Sequence, residues 1–287
     1  MGPILQFFAY LFGAYALAAL LYVPLAETLA ASVPIDAFIG RVGMILGLLG
    51  FWPFLKSLGL ADRATLGYGM TGKAFRRALA LGLLLGIGIL LCLTMALLPL
   101  GVRVPTPGVG LGRLPQVIAE GLLAGLAVAL VEETFFRGGL FAALRRHGGS
   151  ATRAIIGSSL LYAVLHFFEP QPIPAGLPIT ITAAFSSLVG AFPAVFQLQH
   201  LDSFIALLLV GILLALVRER TGGLAWGMGL HAGWVLVIKV VHTYSDVDYG
   251  APWAGLVGRY DGVIGWLAAA WIGALVVLIA AWPQRVQ

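Results

Sequence analysis

The sequence predicts an all-α, polytopic transmembrane helical bundle of about eight spans with both termini cytoplasmic. Three observations carry this: composition, the length of the apolar runs, and the placement of charge. Of the 287 residues, 60% are hydrophobic and 10% are charged, where soluble domains have about 45–50% and about 25%. So few charged side chains cannot coat a water-soluble globule of this size. That excludes a soluble enzyme, a disordered tail and a disulfide-stapled secreted domain. The apolar residues fall into runs close to the ~20 needed to cross ~30 Å of hydrocarbon as helix. The net charge of +5 comes from short loops between these runs, a pattern of membrane orientation and not of nucleic-acid binding. Cys92 is the only cysteine, so an intrachain disulfide or cysteine-rich metal site is excluded.

The spans follow in order. The first runs from about Ile4 to Leu29, too long for a signal-peptide core and therefore retained, and the second from Phe38 to Leu55. A polar, basic stretch from Lys56 to Arg77 leads to the third, Ala78 to Leu100, where Gly82 and Gly86 stand at small-xxx-small spacing. After a Pro/Gly loop comes a longer fourth helix, Gln116 to Leu144. The fifth covers Ala154 to Phe168, the sixth Ser203 to Val217, the seventh Leu224 to Val241 and the eighth Val263 to Trp282. Gln171 to His200 opens Pro-rich, turns apolar and is interrupted by Pro193, which reads as a re-entrant or interfacial segment. Eleven Lys and Arg fall on one side of this arrangement (among them Lys56, Lys73, Arg77, Arg146, Arg218 and Arg285) and five on the other. The basic side is expected to be cytoplasmic. The chain reads as one transmembrane domain, residues 1–287.

Charges inside a transmembrane helix cost about 2.5–3.5 kcal/mol each on insertion scales, so they mark function. The fourth span contains Glu132, Glu133 and Arg137. Glu133 and Arg137, at i,i+4, share a helical face and can pair. Glu132 points about 100° away and lacks that partner. A desolvated carboxylate without a counter-ion holds a proton more readily than in water, which suits a general base. His166 lies near the end of the fifth span and His231 within the seventh. Counted from the basic loop ends, Glu132, His166 and His231 lie about 18, 20 and 14 Å deep at 1.5 Å per residue.

Similar depth on three helices lets a Glu and two His serve one site. The carboxylate can activate water with one imidazole assisting, while the other stabilises a developing oxyanion. Alternatively, Glu132, His166 and His231 could ligate zinc. No HExxH helix is present to favour zinc, and no carboxylate is evident to orient either histidine, because Glu133 is expected to be held by Arg137. No cofactor is therefore favoured. A serine-protease reading lacks a GxSxG context. Two further readings of the charges stay open: a non-catalytic membrane scaffold, and a transporter using them as a proton relay.

Glu132-Glu133-x-x-x-Arg137, then Tyr162-x-x-x-His166, then His231 in a later span resemble the CAAX-protease and bacteriocin-processing (Abi) family. The turn Arg218-x-x-Thr221-Gly222-x-Leu224-x-Trp226 is similar to its bacterial members, and a family-like core spans about 116–242. The resemblance implies an intramembrane endopeptidase in which Glu132 activates water, His166 assists, His231 supports the oxyanion, and Glu133 and Arg137 complete and orient the site. It implies a peptide or protein substrate, membrane-anchored or not, within the lipid bilayer of a bacterial inner membrane. An immunity-type protein of the same family is the alternative. Two positions depart from the family pattern. Tyr162 stands where Phe is usual, and Val235 stands where an Asn would help hold the oxyanion. Valine cannot donate a hydrogen bond, which directs attention to the neighbouring indole of Trp234.

Overall fold

The computed structural model describes residues 1–29, 33–174 and 177–282. Arg285, counted in the charge asymmetry, lies outside them. Helix α1 (Pro3–Tyr22) continues through a 3₁₀ turn into the short α2 (Ala26–Leu29). Next come α3 (Ile35–Ser57), α4 (Gly72–Leu97), α5 (Leu114–Glu133), a π-helical segment (Thr134–Leu140) and α6 (Phe141–Arg146). Then follow α7 (Ala151–His166), α8 (Ile181–Val189), α9 (Ala191–Val195), α10 (Leu201–Thr221), α11 (Ala225–Tyr244) and α12 (Trp266–Ala281). The only sheet among the described residues is a two-stranded ribbon, in which β1 (Arg103–Pro105) pairs antiparallel with β2 (Ser245–Val247). The protein is all-α in class.

Each of the eight expected spans is a helix. Five described segments are long and apolar enough to cross a membrane: Pro3–Leu25, Ile35–Ser57, Gly72–Leu97, Leu111–Arg146 and Leu198–Thr221. The other three differ for physical reasons. Helices α7 and α12 have 16 residues each, about 24 Å at 1.5 Å per residue. Helix α11 has 20 but carries His231, Lys239 and His242. The apolar stretch around Pro193 forms two short helices, α8 of nine residues and α9 of five, the latter containing Pro193.

The chain divides into two compact units, Met1–Ala61 with Leu161–Leu198 and Asp62–Leu160 with Gln199–Gln287. In the first, α1 packs on α3, and α8 packs on both. Phe7 meets Phe54 edge-on at 5.0 Å and Tyr10 stacks on the same ring at 4.3 Å. The Tyr10 hydroxyl donates to the carbonyl of Gly47.

In the second unit α11 is the central helix, flanked by α4, α5 and α10. Its contact with α4 is backbone on backbone. A Cβ on Gly233 would lie 2.6 Å from the Leu83 carbonyl oxygen, and one on Gly82 would lie 2.6 Å from that of Trp226. Lipid supplies no hydrophobic drive between helices, so such close van der Waals packing of small residues is what holds them. The Gly82/Gly86 spacing read from the sequence thus meets a reciprocal Gly229/Gly233 pair. Helix α10 stops at Gly222, whose φ of +64° suits a residue without a Cβ.

The ends of this unit are distinct. At one, Arg145 reaches Glu219 at 3.5 Å, and Arg220 donates to the carbonyls of Ala280 and Trp282. The loop before α4 joins the same end, where Leu224 N–H donates to the Gly67 carbonyl at 3.0 Å. Asp62 turns that loop, and hydrogen bonding from Thr65 holds its carboxyl below the ordinary carboxylate range. At the other end is the β-ribbon, tied by Arg103, which donates to Ser245 and to the carbonyl of Gly262.

Candidate active site

The expected fourth span is not one continuous α-helix. It passes into π geometry immediately after Glu133 and returns to α at Phe141. A π segment inserts extra backbone into the helical ladder and is frequent at functional sites. Contacts from elsewhere in the unit hold it. The Thr134 hydroxyl bonds the Leu130 carbonyl and lies 2.5 Å from the Tyr68 hydroxyl. The Arg218 guanidinium donates from Nε to the Arg137 carbonyl at 3.2 Å and from Nη2 to the Thr65 carbonyl at 3.1 Å. Arg218, counted above as an orientation charge, is therefore also a clamp on the π segment.

The last residue of α5, Glu133, and Arg137 of the π segment are both buried. Arg137 Nη1 donates to Glu133 Oε1 at 2.9 Å, and Nη2 donates to the Gly211 carbonyl at 3.2 Å. The same Glu133 oxygen lies 3.0 Å from His231 Nδ1. This corrects one expectation. Pairing with Arg137 does not withdraw Glu133 from the histidine, because a carboxylate oxygen accepts more than one hydrogen bond. A carboxylate only accepts, so His231 Nδ1 carries hydrogen and Nε2 is the reactive nitrogen. Nε2 lies 3.7 Å from Glu132 Oε2, beyond a direct hydrogen bond.

Glu132 is partly exposed, with 28% of its side chain accessible, against 1% for Glu133. Among the described residues, Glu132 Oε2 and Glu133 Oε2 are buried with no hydrogen-bond partner. The Glu133 oxygen faces Gly227, where a Cβ would sit 3.2 Å away. With His231 as imidazolium, Glu132, Glu133, Arg137 and His231 carry two charges of each sign. Such balance offsets part of the several kcal/mol that each desolvated ion costs.

The fifth site residue, His166, belongs to the other unit. It ends α7, half-buried, with Nδ1 2.8 Å from the Tyr162 carbonyl and its ring 4.3 Å from that of Tyr162. A carbonyl only accepts, so Nδ1 bears hydrogen, the tautomer that leaves Nε2 as the basic nitrogen. The structure therefore brings Glu132, Glu133, Arg137 and His231 together within the second unit and places His166 in the first.

Trp234 belongs to an apolar cluster with Leu90, Leu93, Leu213 and Leu214. Among the described residues its buried Nε1 has no hydrogen-bond partner, an uncommon expense for an indole. No group of three or more His, Cys, Asp or Glu among the described residues is arranged to hold a metal ion. Glu133 Oε1 and His231 Nδ1 are committed to each other. A carboxylate on Nδ1 is also the partner a metal-bound imidazole has, so this orientation suits His231 with or without an ion.

A helical membrane protein with buried carboxylates, a buried arginine and an imidazole of fixed tautomer has the parts of an intramembrane acid–base catalyst. Residues 114–237 match the family described as type II CAAX prenyl endopeptidase Rce1-like, in agreement with the resemblance read from the motifs. The matched segment holds all five candidate site residues and supports a CAAX-type intramembrane protease. No curated protein and no solved structure matched the chain.

Sequence reasoning missed Tyr68 and the clamp role of Arg218. Arg218 had a signal, its place in the Thr221-Gly222 turn motif, but Tyr68 had none.

Proposed function

We propose that this protein is an intramembrane endopeptidase in which Glu132 is the general base. Glu132 takes a proton from water while the water oxygen attacks the scissile carbonyl carbon. The C=O electron pair moves to oxygen, and His231, protonated at Nε2, donates to that oxyanion. Collapse of the intermediate breaks the C–N bond, and the proton held by Glu132 passes to the leaving amine. His166, with its Nε2 lone pair, assists in orienting the water. Glu133 and Arg137 fix His231 and balance its charge. The substrate is a peptide or protein segment presented at the membrane, and the basic end of the bundle faces the cytoplasm of a bacterial cell.

The observation that carries this reading is the single Glu133 oxygen shared by Arg137 and His231. It turns the histidine so that Nε2 faces Glu132 and not the helix backbone. A scaffold would gain nothing from fixing a tautomer next to a second, partly exposed carboxylate.

Glu132→Gln tests the reading. The amide keeps the shape but accepts no proton at neutral pH, and loss of a general base costs about 10²–10⁴ in rate. Cleavage of a cognate peptide should fall by that factor while the protein still inserts and unfolds at the wild-type temperature. An unchanged phenotype would identify a scaffold or immunity-type protein.

A further inference from the structure

At the basic end of the second unit, the start of α4 and the first turn of α11 enclose a cleft of about 470 Å³. Its lining includes Met70, Lys73, Arg77, Ala78, Leu81 and Trp226. The size falls within the range of small-molecule sites, ~300–1,000 Å³. No acidic side chain lines it, and the first turn of α4 contains none. Lys73 and Arg77 are exposed, and neither forms an ion pair among the described residues. Cations at a helix N-terminus oppose the helix dipole, so this corner is electropositive from both sources.

The apolar part of the cleft has a direction. At 100° per residue, Lys73, Arg77, Leu81, Leu84 and Leu85 fall within about a third of the helix circumference. Leu81, Leu84 and Leu85 are 42%, 65% and 51% exposed. Two cations at the helix start are thus followed along the same face by a bare apolar strip running away from the basic end. Trp226, an aromatic suited to the membrane interface, forms the opposite wall.

We propose that this cleft binds an acidic phospholipid, its phosphate between Lys73 and Arg77 and its acyl chains along the Leu81–Leu85 face. A free phosphate would satisfy the cations and leave the strip unused, and a zwitterionic lipid would cover the strip with less electrostatic gain. Juxtamembrane basic residues attract anionic lipid, and here they have a shaped wall beside them.

The test uses the full chain in detergent, offered equal amounts of dioleoylphosphatidylglycerol and dioleoylphosphatidylcholine, with bound lipid measured by native mass spectrometry. Wild type should retain phosphatidylglycerol preferentially. Lys73→Gln with Arg77→Gln should reduce that preference by roughly thirtyfold. Lys73→Arg with Arg77→Lys should keep it, as should Lys56→Gln, a basic residue outside the cleft. Equal loss in the charge-preserving pair would overturn the proposal. So would displacement of the lipid by excess glycerol 1-phosphate, which would assign the cleft to soluble phosphate. An unchanged lipid preference in the Gln pair, with a raised KM for an acidic peptide, would assign it to substrate and equally overturn the proposal.

Discussion

Glu133 and His231, 98 residues apart in the chain, meet at 3.0 Å between Oε1 and Nδ1 while the same oxygen holds Arg137 at 2.9 Å. One carboxylate atom at the end of α5 therefore holds both Arg137 of the π segment and His231 of α11, and fixes the imidazole. Arg137 and His231 stand in different relations to it. The first makes the burial of Glu133 affordable, and the second uses it for orientation.

Arg137→Gln should accordingly be the most destabilising change in the site. It leaves Glu133, 1% exposed, without its fixed cation, and breaking a buried pair costs about 3–5 kcal/mol. Arg137→Lys should rescue only partly, because a single ammonium cannot reproduce the guanidinium fork that reaches both Glu133 and the Gly211 carbonyl. Thermal unfolding in detergent would rank the three proteins. A wild-type unfolding temperature for Arg137→Gln would contradict this account.

Glu133→Gln separates orientation from folding. The amide oxygen can still accept from Arg137 and from His231, so the unfolding temperature should fall less than for Arg137→Gln. The counter-charge to the imidazolium is lost, and kcat should fall while KM changes little, since the interaction is made with the transition state. Steady-state kinetics on a cognate peptide would show the split.

Much of this architecture was legible in the sequence because it rests on local rules. Apolar run length located the long helices α1, α3, α4, α5, α10 and α11, and i,i+4 spacing predicted the Glu133–Arg137 pair. What escaped depends on partners distant in sequence. Nothing in Thr134–Leu140 itself specifies π geometry, which is held by Tyr68 and by Arg218. The spacing of Gly82 and Gly86 signalled a packing face but not its partner, the Gly229/Gly233 face of α11. The histidine's carboxylate was missed because a carboxylate already paired was treated as saturated.

Topology provides an independent test. Arg145, Arg220 and the Gly67 loop share one end of the second unit, and the ribbon with Asp248 forms the other. Reporter fusions after Arg146 and Arg220 should be cytoplasmic, and one after Asp248 external. A cytoplasmic signal at Asp248 would overturn the eight-span arrangement.

Val235 offers a gain-of-function prediction. It follows His231 by four residues on α11 and is half-buried. An Asn there would add a side-chain donor, and one oxyanion donor is worth about 10²–10³ in kcat. Val235→Asn should raise kcat above wild type. Trp234→Phe preserves the ring in its apolar cluster but removes Nε1–H, so a fall in kcat without loss of stability would show that the indole serves as donor in the native chain.

Metal dependence is decided by removal and not by substitution, because a zinc site and a glutamate-activated water both need Glu132, His166 and His231. Both mechanisms can use Glu133 in the same way. A zinc ligand requires an atom about 2.0–2.2 Å from the metal and a second group holding the imidazole in place. Glu133 supplies such a second group to His231 through Nδ1, so the tautomer alone fits either mechanism. What separates the mechanisms is whether activity survives removal of the ion. Purified protein should contain well under one zinc per chain and should keep its activity after exhaustive chelation. Activity lost on chelation and restored by zinc would make Glu132, His166 and His231 ligands.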